Sequence, residues 1–391
     1  MKSETFLAHC GRKTAKKYGV VNPPIHRAST ILFPCVADFY KSQESGGSRP
    51  IYGRQGTSNN QELSEALAKL EGGKFAYVTP SGLSAITTTL LTFLQPGDHM
   101  LVVDSVYFYV RDFIECILKK NQVDVTFYDP CEGEDIEKLF QPNTKILYTE
   151  SPGSITFELQ DIPLLTKKAH KKGIKVILDN TWATGLYFPA FSHNVDIVIL
   201  SATKYIIGHS DTLLGAIVCR DKEIKNALEV SITSMGVCAS PDDCYMGLRG
   251  LRTLNVRLAQ HQKNALTVAE WLDQQPEVKM VMHPAYPKSK SYKIWKRDFT
   301  GASGVFSILL EESPNDAVGV LIDNLKLFGI GLSWGGYESL VLPVKLKGYR
   351  KYWHEMGHTI RFHIGLESPE DLILDLQQAF DKYRKYLHEN R

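Results

Sequence analysis

A lysine placed directly after a buried apolar strand is uncommon, because an ammonium group resists burial unless it is paired or neutralised. Lys204 stands in that position, in Ser201-Ala202-Thr203-Lys204-Tyr205, after the apolar run Ile197–Leu200. A second run, 174–178, ends on Asp179 and Asn180. A third, 75–78, leads into Thr79-Pro80-Ser81-Gly82-Leu83-Ser84, a turn of small residues suited to opening a helix. Unpaired N–H groups at a helix start attract an anion, and Gly82 lets a phosphate approach closely. Each feature alone has a plainer reading: a strand-to-helix turn, an aspartate capping a turn, a lysine whose stem reaches the surface. Together they meet the needs of pyridoxal phosphate: an amine to condense with its aldehyde, an acid for its pyridinium nitrogen, and an anion site. Lys204 would supply the amine and Asp179 the acid, with Ser201, Thr203 and the Gly82 and Leu83 amides around the phosphate.

These residues need a scaffold that brings several strand ends together. Apolar runs recur at 75–78, 100–103, 123–128, 146–148, 174–178, 197–200 and 216–218, with helical spacing at 61–71, 84–94, 108–118 and 163–172. Short, continuously apolar strands separated by helices indicate a mostly parallel sheet covered on both faces, with ligands beyond the carboxyl ends of its strands. After Gly250 the pattern changes to one amphipathic stretch, 251–274, then strands near 278–282, 304–310 and 360–364 and helices near 315–328 and 369–388. The opening residues are irregular and marked by Pro23-Pro24 and Ser45-Gly46-Gly47-Ser48. The expected layout is an N-terminal arm (1–56), a large α/β domain (57–250) and a small α+β C-terminal domain (251–391).

Composition removes several classes of function. The 391 residues are 43% hydrophobic and 23% charged, which excludes global disorder, and 45 basic against 43 acidic residues leave no basic excess for nucleic acid. The basic runs 167–172 and 382–385 lie in helix-like stretches and read as solvated faces. No run has the length of a membrane span and the opening lacks a signal-peptide core, so no membrane partner is expected. Seven scattered cysteines without a CxxC pair suggest reduced thiols in a cytoplasm. There is no GxGxxG, no complete P-loop and no Gly-x-Ser-x-Gly elbow. His354-Glu355-Met356-Gly357-His358 matches the HExxH zinc pattern, but Gly357 and the strand-like alternation after it argue against a helix, so no metal is expected.

Longer motifs identify a family. Val21-Asn22-Pro23-Pro24-Ile25-His26-Arg27, Tyr52-Gly53-Arg54-Gln55-Gly56-Thr57, Ser81-Gly82-Leu83, Glu150-Ser151-Pro152-Gly153-Ser154, Asp179-Asn180-Thr181-Trp182, the Lys204 segment, Ser333-Trp334-Gly335-Gly336-Tyr337-Glu338-Ser339 and Arg361-Phe362-His363-Ile364-Gly365 occur in this order. The chain thereby resembles the Cys/Met-metabolism family of pyridoxal-phosphate enzymes, fold type I, over nearly its whole length. The resemblance implies that Tyr107 stacks on the cofactor ring and that Arg361 clamps the substrate carboxylate. It implies that Ser333 and Trp334 border the substrate pocket, and that Tyr52 and Arg54 reach the phosphate of a neighbouring subunit. Ser333-Trp334-Gly335-Gly336, where γ-cleaving and γ-replacing relatives carry Ser-Leu-Gly-Gly, points to the bacterial β-eliminating branch. The implied reaction is α,β-elimination of L-cystathionine, or of related cysteine S-conjugates, to homocysteine, pyruvate and ammonia in methionine biosynthesis. The implied assembly is a dimer with shared sites, paired into a homotetramer. The alternatives are γ-cleavage, sulfhydrylation of an acylhomoserine, or regulation by a cofactor-binding protein with residual lyase activity.

Overall fold

The computed structural model describes residues 1–44, 50–346 and 348–390; Ser45-Gly46-Gly47-Ser48 of the arm lies outside the described residues. Seven of the expected runs form one sheet: β1 (Phe75–Thr79), β2 (His99–Val103), β3 (Asp124–Tyr128), β4 (Thr144–Glu150), β5 (Lys175–Asp179), β6 (Ile197–Leu200) and β7 (Gly215–Cys219). Their order is β1-β7-β6-β5-β4-β2-β3. Every residue of β2, β6 and β7 is buried, as strands covered on both faces require. Burial of each large aliphatic side chain contributes about 1.5–3 kcal/mol, so a slip that pulled Leu200 out or Ser201 in would be strongly opposed.

The sheet is parallel except for β7, which runs antiparallel to both β1 and β6. The link from β6 to β7 contains turns and no crossover helix, and only a crossover would restore the parallel direction. Because β1 therefore runs the same way as β2, β4, β5 and β6, the residues that follow these five strands emerge along one edge.

A second sheet, of order β10-β11-β12-β9-β8, contains β8 (Val278–Met282), β9 (Val305–Leu310), β10 (Gly329–Ile330), β11 (Leu340–Val344) and β12 (His358–His363). The helix Leu254–Asp273 joins the two halves. Leu254 and Leu258 pack into the core of the first sheet, while Ala265, Val268, Ala269 and Leu272 pack into that of the second.

Several boundaries differ from the sequence expectation. The stretch 251–274 forms one helix, Leu254–Asp273, which starts three residues late because Arg252 and Thr253 separate it from a preceding helix, Pro241–Leu251. The helix expected at 315–328 stops at Asp323. The helix Lys222–Met235 was not anticipated, although Asp221 caps it by accepting from the Glu223 and Ile224 N–H groups at 2.8 and 3.0 Å. The 108–118 segment is helical to Phe113 and then widens into a π turn, Ile114–Leu118. The arm carries three short helices, Ser3–His9, Lys13–Tyr18 and Val36–Glu44, too short to reveal a period in sequence.

Candidate active site

Lys204 leaves β6 in a series of turns, and its Nζ donates a hydrogen bond to Ser333 Oγ at 2.7 Å. The same Nζ lies 5.4 Å from the centre of the Trp334 ring. The 333–336 turn rests directly on the Lys204 backbone, because a Cβ at Gly335 would meet the Lys204 Cα at 3.0 Å, and Gly335 has φ +88. Burial first, and the Arg361 guanidinium second, lower the Lys204 amine to about 8, against the opposing pull of Asp179. A fraction of the amine is therefore neutral near physiological pH, as a proton acceptor must be. In the cofactor-free protein Lys204 should reach half-maximal acylation near pH 8, with exposed lysines following above it. Peptide mass mapping reads this directly, and a Lys204 midpoint no lower than that of exposed lysines would contradict it.

Asp179 ends β5 and is buried. Its Oδ1 accepts from the Thr181 N–H at 3.0 Å and from the Thr181 hydroxyl at 2.5 Å, which leaves Oδ2 without a hydrogen bond. Burial raises the carboxyl above its ordinary pKa, while Thr181 and the Lys204 charge pull the other way. Such a group needs a cation or a charged N–H, and a protonated pyridine nitrogen is one.

Beside it in register stands Glu150, at the end of β4. Its Oε2 accepts the Tyr107 N–H at 2.8 Å, and burial with the Asp179 charge lifts its carboxyl well above the ordinary value. Sequence reasoning quoted Glu150 within a motif but assigned it no role; its place at a strand end, like that of Asp179, was the available signal. Tyr107 itself caps the short helix Phe108–Phe113. Burial first, then the neighbouring Tyr109, Glu150 and Asp179, push its phenol up to about 12, so the hydroxyl keeps its proton.

Arg361 projects from β12 and is buried. Its Nη2 donates to the carbonyls of Gly331, Leu332 and Ser333 at 3.1, 2.8 and 2.9 Å. Its Nε is buried with no partner, an unsatisfied donor that a carboxylate would satisfy. Glu150, Pro152, Ser154, Asp179, Trp334 and Arg361 line one cavity. Arg361→Lys keeps the charge but loses both the fork and the hold on 331–333. The expected cost is about 1.5–3 kcal/mol, read as a KM for an amino-acid substrate raised roughly 10- to 150-fold. An unchanged KM would place the carboxylate elsewhere.

At the third strand end, Ser81 caps the helix Gly82–Phe93 by accepting the Ser84 N–H at 3.1 Å. Among the described residues, no hydrogen-bond acceptor meets the Gly82 or Leu83 N–H. A Cβ at Gly82 would lie 2.7 Å from Ser201 Oγ, so only glycine lets the helix start close on that hydroxyl. Thr203 is in the same turn, but its hydroxyl donates to Leu214 O at 3.1 Å and accepts from the Leu214 N–H at 2.8 Å. An anion would compete with Leu214 for that proton.

Tyr52 and Arg54 are not brought to this site within the chain. Tyr52 is exposed, and Arg54 lines a separate cavity of about 600 Å³, where its Nη1 donates to Thr233 O at 2.6 Å. The HExxH segment is not helical. His354 is in an irregular stretch and exposed, whereas His358 begins β12 and is half-buried, with Nε2 2.7 Å from Ser313 O. The seven cysteines are unbonded, and no helix among the described residues is long and apolar enough to cross a membrane.

An amine at Lys204, an unpaired carboxylate oxygen at Asp179 and free amides beside Ser201 thus fit pyridoxal phosphate, each by the group its chemistry requires. Residues 4–381 match the family described as Cys/Met metabolism PLP-dependent enzyme. The chain belongs to that family. Pyridoxal phosphate is its cofactor, and the fold is that of type I. A cystathionine β-lyase of Haemophilus influenzae is 40% identical, over 97% of this chain and 98% of its own. An L-alanine/L-glutamate racemase of Wolbachia pipientis is 41% identical over 97% of both chains. Among solved structures, cystathionine γ-synthase of Xanthomonas oryzae in complex with cystathionine has a TM-score of 0.89 at 30% identity, covering 98% of this chain and 99% of that one.

Proposed function

We propose that this member of the family is a carbon–sulfur lyase that splits L-cystathionine by α,β-elimination, consuming water and releasing homocysteine, pyruvate and ammonia. The observation that carries this reading is the Lys204 amine, hydrogen-bonded to Ser333 and set beside Trp334, a residue that lines the cavity of Asp179 and Arg361. The β-lyase of Haemophilus influenzae, similar over nearly the whole chain, supports it.

Pyridoxal phosphate, when bound, supplies the electron sink for the pair left at the substrate Cα. Around it, Arg361 binds the α-carboxylate and fixes which face of Cα meets Lys204. Neutral Lys204 Nζ accepts the α-proton, and as an ammonium it can return that proton to the leaving sulfur. Asp179 would pair with the ring nitrogen and favour a proton on it. Tyr107 would stack on the face of the ring, and its raised phenol keeps its proton. Ser333 steers the lysine, and Trp334 shapes the distal end of the pocket. Residues 57–250 would form the large cofactor-binding domain and 251–391 the small C-terminal domain, which carries Arg361 on β12. Homocysteine release places the reaction in methionine biosynthesis, in a cytoplasm where the unbonded cysteines stay reduced.

A second reading is favoured by the racemase relative, since racemisation starts with the same proton removal at Cα. One product analysis separates them. With L-cystathionine we expect equimolar homocysteine and pyruvate; 2-oxobutyrate with cysteine would assign γ-cleavage. D-alanine from L-alanine without pyruvate from cystathionine would assign racemisation. No turnover on cystathionine, cystine or an acylhomoserine would leave regulation.

The sites are shared between subunits of a dimer, itself paired into a tetramer: Tyr52 and Arg54 serve the phosphate of the partner. Arg54 lines a cavity other than the one that holds Asp179 and Arg361, and Tyr52 lines neither, which supports this arrangement. Arg54→Ala and Lys204→Ala proteins, each nearly inactive, should regain activity when unfolded and refolded together, because one site in a mixed dimer is intact. If subunits demonstrably exchange and no activity returns, Arg54 serves its own chain.

A further inference from the structure

Asp104 and Arg350 form an ion pair whose side chains are 0% and 2% exposed, with Arg350 Nε 2.8 Å from Asp104 Oδ2. Arg350 uses every guanidinium nitrogen. Its Nη1 donates to Thr156 Oγ1 at 2.6 Å and its Nη2 to Glu158 Oε1 at 3.3 Å, while the Thr156 hydroxyl donates to Glu158 Oε2. Asp104 also accepts from Arg111 Nη2 at 2.5 Å and from the N–H groups of Lys351 and Tyr352 at 3.2 and 3.1 Å. Burial raises its carboxyl, but these donors outweigh that and hold it below the ordinary pKa, so it stays ionised.

The cluster joins three elements of the active site. Asp104 follows β2, three residues before Tyr107. Arg350 lies in the loop between β11 and β12, and β12 carries Arg361. Thr156 and Glu158 belong to the segment after β4, whose Pro152, Ser154, Ile155 and Phe157 line the Arg361 cavity. In that wall Ile155 has φ 71 and Phe157 φ 53, conformations that L residues adopt rarely and a β-branched one most rarely. The residue between them, Thr156, is the one that Arg350 grips. Buried ion pairs seldom stabilise a fold beyond what apolar packing would, and their best-attested use is to specify one arrangement among several.

We propose that Arg350 is a positioning residue for substrate binding: it locks the 152–157 wall of the cavity in its strained form against Asp104, in register with Arg361. The inference rests on reading that cavity as the substrate site. It leaves Lys204 and its proton transfer untouched, so its loss acts on KM and spares kcat.

The test uses the cofactor-loaded enzyme with Arg350→Lys, which keeps charge but replaces the planar fork that spans Asp104, Thr156 and Glu158 by a compact ammonium, and Glu158→Gln, which leaves the Asp104 pair intact if the first variant folds poorly. Amide hydrogen exchange is followed in peptides spanning 151–158, alongside KM and kcat. In Arg350→Lys, exchange at 153–157 should accelerate about tenfold or more, with KM raised by a similar factor and kcat within about threefold of the parent. Glu158→Gln should move both readouts the same way by less. Native exchange at 153–157 in both variants would overturn the inference and leave the proposed reaction standing. Faster exchange with an unchanged KM would also overturn it, by showing that this wall does not hold the substrate.

Discussion

Lys204→Ala should lower turnover by about four orders of magnitude, because in the proposed mechanism one group would provide both the covalent anchor of the cofactor and the proton shuttle. The magnitude follows from position. Nζ is lowered to about 8 by burial and by Arg361, and Ser333 holds it at 2.7 Å, so no exposed lysine could take its place at matched basicity. Trapping with borohydride and peptide mapping should find the cofactor mass on the Lys204 peptide of the parent and on no peptide of the variant. Cofactor attached elsewhere in the variant, with turnover retained, would end the assignment. The fold should survive, since the methylene stem of a half-buried lysine contributes little to the core.

Asp179→Asn is expected to leave the chain folded and yet slow exchange of the substrate α-proton by about two to four orders of magnitude. Thr181 donates both its N–H and its hydroxyl to Oδ1, and an amide oxygen accepts these equally well. The second oxygen is what changes. In the parent an unpaired carboxylate oxygen stabilises a proton on the ring nitrogen; in the variant an NH2 group would oppose it. Deuterium incorporation at Cα, followed by NMR, isolates this step from C–S cleavage. Near-normal incorporation would transfer the role to Glu150, the buried carboxyl next to it in register.

Lys204, Asp179 and the Gly82 turn were legible in the sequence because strands covered on both faces must be continuously apolar, and the residue where such a run stops is marked by its polarity. The family resemblance added Tyr107, Arg361, Ser333 and Trp334 as candidates that no periodicity could have singled out. The parallel sheet followed from the alternation of short strands with helices. Within it, the reversal of β7 was decided by a linker of turns that has no sequence period.

The rest depended on where distant segments land. Asp104 and Arg350 are 246 positions apart, and nothing local to either residue names its partner. Glu150 reads as an ordinary strand-end acid until register places it against Asp179 and under the Tyr107 amide. The amphipathic stretch reads as starting at Leu251, whereas the helix starts at Leu254 and Arg252 donates to Leu7 O and Cys10 O of the arm at 3.0 and 2.6 Å. Residue order and period encode which faces are buried, and from them the chain specified its strands and the chemistry at their ends. Which buried charges meet is a property of loop closure over long separations, and only the folded structure decided it.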